Sequence, residues 1–158
     1  MRRSFSIGVQ TAIPRWSLSR VLLSITASPG VRSITITWGD RILALHMYAR
    51  STYGAVVARG RECLVAGEDL RRAAWLLTRL MDRVSELLKS RYYTYTGPLE
   101  VAEDRVVYRP YVSPTSTAEI VLSGRLAMAV SGEFRRRFST SLEVGAVLRR
   151  YLEVLEKC

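Results

Sequence analysis

The chain has 158 residues, with 24 Lys plus Arg against 14 Asp plus Glu, a net charge of +10, one His and two Cys. That length fits one domain, or two small halves sharing a core, and an apolar share of 48% with 24% charged residues excludes wholesale disorder. No window approaches the roughly 18 uninterrupted apolar residues of a membrane span, so no membrane partner is expected.

Residues 5–13 read as a strand with one wet face. Pro14 suits a first helical turn, and Leu18, Val21, Leu22 and Ile25 fall at helical spacing, so a helix over 14–27 is expected, stopped by Pro29-Gly30. Ile34, Ile36 and Trp38 then alternate with Ser33, Thr35 and Thr37. After Gly39-Asp40 a second run, Arg41 to Ala49, completes a hairpin. Residues 50–66 leave two short strands open, around Tyr53–Ala58 and Cys63–Val65. The strongest element is a helix over 68–90, whose Leu70, Ala73, Ala74, Leu77, Leu80, Met81, Val84, Leu87 and Leu88 share one face. Glu68 and Asp69 suit its positive end.

Residues 91–98 punctuate the chain and mark its midpoint. A short strand pair over 99–112, turning near Glu103-Asp104, precedes a Ser/Thr loop at 115–117. A second hairpin runs from Glu119 to Phe134, and Thr140-Ser141-Leu142-Glu143 has the pattern of a capping box opening a last helix. Hairpin-then-helix thus occurs twice, which points to an internal repeat with halves near 5–90 and 99–158 in a single domain, 1–158. The fold expected is α+β, an antiparallel sheet with helices packed on one face.

The charge points to an anionic partner, nucleic acid before membrane, because phosphate contacts release counterions. Of the basic residues 22 are Arg, which suits bidentate phosphate contacts and stacking on bases. A GC-rich genome writing Arg for every positive charge is the bland alternative. There is no Asn and one Gln, as in a thermophile. Arg2-Arg3-Ser4-Phe5 resembles a twin-arginine signal, but Arg15 and Arg20 interrupt its only apolar candidate, so a cytoplasmic protein is expected.

An enzyme needs a nucleophile, base, metal cage or phosphate loop, and no such motif stands out. His46 lies alone in a strand, and Cys63 and Cys158 lack zinc spacing, so no catalytic residue, metal or cofactor is assigned. Whether the two cysteines are free or paired stays open. The candidates for phosphate contact are Arg135, Arg136 and Arg137, placed between a strand and a helix cap, and the pairs Arg71-Arg72 and Arg149-Arg150, placed alike on two helices. Tyr92, Tyr93 and Tyr95 beside Arg91 are candidates for base stacking, against the alternative that they pack on the sheet.

Ile13-Pro14 leading into a short helix, the hairpin Val31–Leu45, the helix start Asp69-Leu70-Arg71 and the later Leu148-Arg149 together resemble the small dimerising subunit of the KEOPS complex. That complex makes threonylcarbamoyladenosine on tRNA. The resemblance implies a non-catalytic subunit working with a protein partner, and a tandem of two units implies a fused dimer. The family's Asn-Ser pair is replaced here by Trp75-Leu76. The reading reached is a tRNA-binding accessory subunit of an RNA-modifying complex, with a homodimer open. The alternative is a structural interaction module whose basic face meets an acidic protein.

Overall fold

The computed structural model describes residues 20–48, 51–58, 61–65, 67–87, 91–113 and 116–157, with 52–58, 61–65 and 87 described by their backbone. The strand expected over 5–13 and the side chains of Cys63 and Cys158 lie outside the described residues. β1 (Val21–Ser28), β2 (Val31–Trp38) and β3 (Arg41–Tyr48) form an antiparallel meander. β4 (Thr52–Ala58) and β5 (Arg61–Val65) extend it, and α1 (Glu68–Leu87) follows. β6 (Tyr93–Val101) returns to pair with β1, then with β7 (Val106–Tyr108). A small ribbon of β8 (Tyr111–Ser113) and β9 (Ser116–Thr117) precedes β10 (Glu119–Ser123), β11 (Leu126–Ser131), β12 (Phe134–Ser139) and α2 (Val144–Lys157).

The result is an α+β fold: a ten-stranded antiparallel sheet in the order β12-β11-β10-β7-β6-β1-β2-β3-β4-β5. Outward from the central β1–β6 pair, each flank runs in chain order through five strands and ends in a helix. The second flank therefore starts at Tyr93, inside the segment read above as a boundary. Residues 93–98 are no linker. They pair with β1 from Leu22↔Pro98 to Ala27↔Tyr93, at the middle of the sheet.

The helix expected over 14–27 is overturned where the structure describes it, because 21–28 is β1. Val21, Leu22 and Ile25 fit helical spacing, but Val21, Leu23, Ile25 and Ala27 fit strand alternation, and those four are the buried ones. Pairing on both sides, with β2 and β6, decides between the two periodicities. Pro29-Gly30, read as a helix stop, is the two-residue turn of the β1–β2 hairpin, with Gly30 at φ 79°. The capping box is also replaced. Thr140 donates its hydroxyl to the Leu142 carbonyl at 2.6 Å, and α2 begins at Val144.

One face of the sheet is apolar and carries both helices. Leu23, Ile25, Ile34, Ile36, Leu43, Leu45 and Ile120 are fully buried against Leu70, Leu77, Met81, Leu148 and Leu152. Each such side chain contributes about 1.5–3 kcal/mol of burial free energy. α1 lies on β1, β2 and β3, while α2 lies on β7 and β10, reaches β3 and packs on α1. Asp69 joins the helices: it accepts from the Tyr151 hydroxyl at 2.9 Å and pairs with Arg150. The opposite face is hydroxyl-rich, with Ser24 bonded to Thr96 at 2.7 Å and Thr26 to Thr94 at 3.2 Å.

Gly97 is the tightest point of β6. A Cβ there would collide with the Arg109 carbonyl and come within 2.6 Å of the Pro110 Cα, both backbone. Gly39 instead sits in the β2–β3 turn at φ 62° with open space around it. Gly97→Ala is expected to cost more than about 4 kcal/mol, and Gly39→Ala only about 1 kcal/mol. Urea unfolding of the two variants checks this, and equal costs would contradict the close approach.

Candidate nucleic-acid interface

α1 is amphipathic, and its buried stripe leaves Arg72, Trp75, Arg79 and Arg83 on the outer face, all exposed. From Arg72 to Arg83 is eleven residues, about 16 Å along the axis at the helical rise. Arg79 and Arg83 form one wall of a groove of about 370 Å³. Its floor is Leu76, Leu80, Leu122 and Phe138, and its far wall is Ser139, Thr140 and Ser141 just ahead of α2. Among the described residues no carboxylate lines this groove and neither arginine pairs with an acid.

Arg135, Arg136 and Arg137 are exposed, but they do not follow a strand as expected. They form the middle of β12, an edge strand of the sheet. Strand alternation therefore splits the cluster. Arg136 stands opposite buried Ala129 and so shares the helix face with Phe138 and the groove, while Arg135 and Arg137 stand opposite Val130 and Met128 on the other face. Three successive charges on an edge strand also discourage edge-to-edge pairing.

The helix pairs do not assemble into one basic surface. Arg71 is half-buried and pairs with Glu68 at 3.5 Å. Arg150 pairs with Asp69 and lies over the Tyr151 ring. Arg149 is half-buried and donates to the Ala102 carbonyl at 2.6 Å. Of the four, only Arg72 stands exposed without such a partner among the described residues.

The tyrosines divide in the same way. Tyr93 and Tyr95 are buried under α1, with their rings stacked at 4.7 Å. The Tyr93 hydroxyl donates to Asp82 at 2.8 Å, and Asp82 in turn holds Arg32 through both oxygens at 2.6 and 2.7 Å. Tyr95 donates to Ser85 at 3.1 Å. A base reaches neither ring without opening the helix–sheet interface, so packing is the role these two have. Tyr92 remains exposed, with the Arg91 guanidinium 5.4 Å from its ring centre. Tyr48, Trp75 and Tyr92 line a pocket of about 320 Å³ beside the β1–β2 turn. The apolar stripe of α1 already turns Arg79 and Arg83 toward solvent or a partner from the sequence alone, and both are exposed, although the sequence does not single them out for phosphate contact; sequence reasoning missed Tyr48 and Trp75.

Burial, then the hydrogen bond to and charge of Asp82, raises the Tyr93 phenol well above its ordinary value. Burial does the same to Tyr108, whose hydroxyl donates to the Tyr95 carbonyl at 2.9 Å. Hydrogen bonding to Asp82 holds Arg32 more firmly charged. Among the described residues no cluster of three or more His, Cys, Asp or Glu is placed to hold a metal, and no helix is long and apolar enough to cross a membrane. No protein-family model, no curated protein and no solved structure matches the chain.

Tyr93 and Tyr108 keep their protons at a pH where an unfolded tyrosine, ionising near about pH 10, releases them. The native state then binds more protons than the unfolded one, so their stabilisation is complete below about pH 10 and falls as pH rises further. Thermal melts between pH 8 and 11 are expected to show this decline, and Tyr108→Phe is expected to flatten it. Identical alkaline slopes for both proteins would contradict the assignment.

Proposed function

We propose that the protein is a non-catalytic RNA-binding protein that lays a single strand along the outer face of α1 and across the groove toward β12. The observation that carries this reading is the groove wall of Arg79 and Arg83, two exposed guanidiniums with, among the described residues, neither an acid partner nor a carboxylate along the groove. Arg carries its charge at every physiological pH and meets phosphate bidentately. Arg136 on the facing strand and the net charge of +10 add to the attraction. The fuller form of the reading is an accessory subunit that holds tRNA for an enzyme of a larger complex.

The apolar floor of the groove favours a second reading, in which an acidic amphipathic segment of a protein partner docks there. Salt dependence separates the two. Arg79→Ala/Arg83→Ala is expected to weaken binding to a single-stranded RNA at least about tenfold. It should also lower the slope of log K against log salt by about 1.4, two phosphates at roughly 0.7 each. Arg150→Ala, which breaks a pair with Asp69, is expected to lower stability and leave the slope unchanged. Fluorescence anisotropy across a salt series checks both, and an unchanged slope in the double variant would remove the groove from the RNA site.

A further inference from the structure

Six large apolar side chains are exposed among the described residues, and two of them, Trp75 and Tyr92, border one pocket that Tyr48 also lines at the end of β3. Trp75 and Tyr92 come from α1 and from the segment before β6, so their approach is a product of the fold. Isolated exposed aromatics need no explanation, but two of them bordering one cavity do. Ala27 and Met47 form its apolar floor, and Arg91 and Arg32 stand at its edge. Arg32 is committed to Asp82, while the Arg91 guanidinium lies over the Tyr92 ring. The cavity thus offers flat π faces, a shallow apolar floor and positive charge at the rim.

We infer that this pocket takes an unpaired nucleobase, which makes the protein selective for RNA with unstacked bases over a regular duplex. The inference rests on the RNA-binding reading and names its substrate class. Every base has a π face, and aromatic rings and guanidinium planes are the groups on which unpaired RNA bases stack. At about 320 Å³ the pocket lies at the small end of ligand cavities, enough for one planar ring system. Trp75 links it to the phosphate track. Trp75 lines the pocket, its neighbour Leu76 lines the groove, and Arg79 follows four residues on, about 6 Å along α1. A strand whose phosphates meet Arg79 and Arg83 therefore has a base within reach of Trp75. A base-paired residue in a duplex presents no free face to the pocket.

The test compares a twelve-nucleotide unstructured RNA with the same RNA annealed to its complement, by anisotropy at several salt concentrations. Trp75→Ala is expected to weaken binding of the single strand about 5- to 100-fold, the range of one stacked base. Its salt slope should be unchanged, because no phosphate contact is lost. Duplex affinity should not move, and Trp75→Phe should restore most of the loss. Tyr92→Ala should follow Trp75→Ala in the same direction. Both side chains are exposed, so neither variant opens the core, and a melt confirms that each is folded. Single-strand affinity untouched by Trp75→Ala, with the Arg79/Arg83 variant still impaired, would overturn the pocket and leave the arginine track standing. Failure of the wild-type protein to bind either RNA would overturn both.

Discussion

The pairing of β1 with β6 is the constraint on which the rest of the molecule depends. It joins two five-strand meanders into one sheet, from Leu22↔Pro98 to Ala27↔Tyr93. A ten-stranded sheet with one apolar face has to cover that face, and α1 and α2 are the elements that do so. Gly97 marks how tightly the join is made, since the chain leaving β7 passes over it with no room for a side chain. Tyr93 and Tyr95 are drawn into the core by the same pairing. Their hydroxyls, lodged under α1, are satisfied by Asp82 and Ser85 on that helix. Arg32 on β2 completes the anchor through Asp82.

The functional surface is what this arrangement leaves over. With Leu70, Leu77, Met81 and Val84 turned into the core, α1 has to present Arg72, Trp75, Arg79 and Arg83 outward. The same helix bounds the aromatic pocket at Trp75 and the basic groove at Arg79 and Arg83. Part of the charge elsewhere is spent internally: Arg71, Arg109 and Arg150 are held by carboxylates, and Arg149 by a carbonyl. Counting arginines therefore overstates what is available to a partner. Pairing state, not number, selects the candidates.

Much of the fold is legible in the sequence, and the failures have physical causes. The β2–β3 hairpin and α1 are readable because their periodicity is unambiguous and their turns carry the expected glycines. β1 is not, because Val21-Leu22-Leu23-Ser24-Ile25 satisfies both periods, and the arbiter is a strand about 70 residues away in sequence. Tyr92, Tyr93 and Tyr95 look equivalent in sequence, yet the start of β6 exposes the first and buries the other two. The Arg135–Arg137 run is visible as charge, whereas its division between two faces requires knowing that it is a strand. The pocket of Tyr48, Trp75 and Tyr92 could not be read at all. Its members belong to three elements brought together only by packing.

The most direct measurement is a nuclear magnetic resonance titration of the protein with an unstructured RNA, followed at the arginine Nε–H and tryptophan indole signals together with the backbone amides. The account predicts shifts at Arg79, Arg83 and Trp75, along the outer face of α1, and at β12. Shifts confined to Thr35, Thr37, Thr94 and Thr96 on the hydroxyl-rich face, with the α1 signals unmoved, would contradict it.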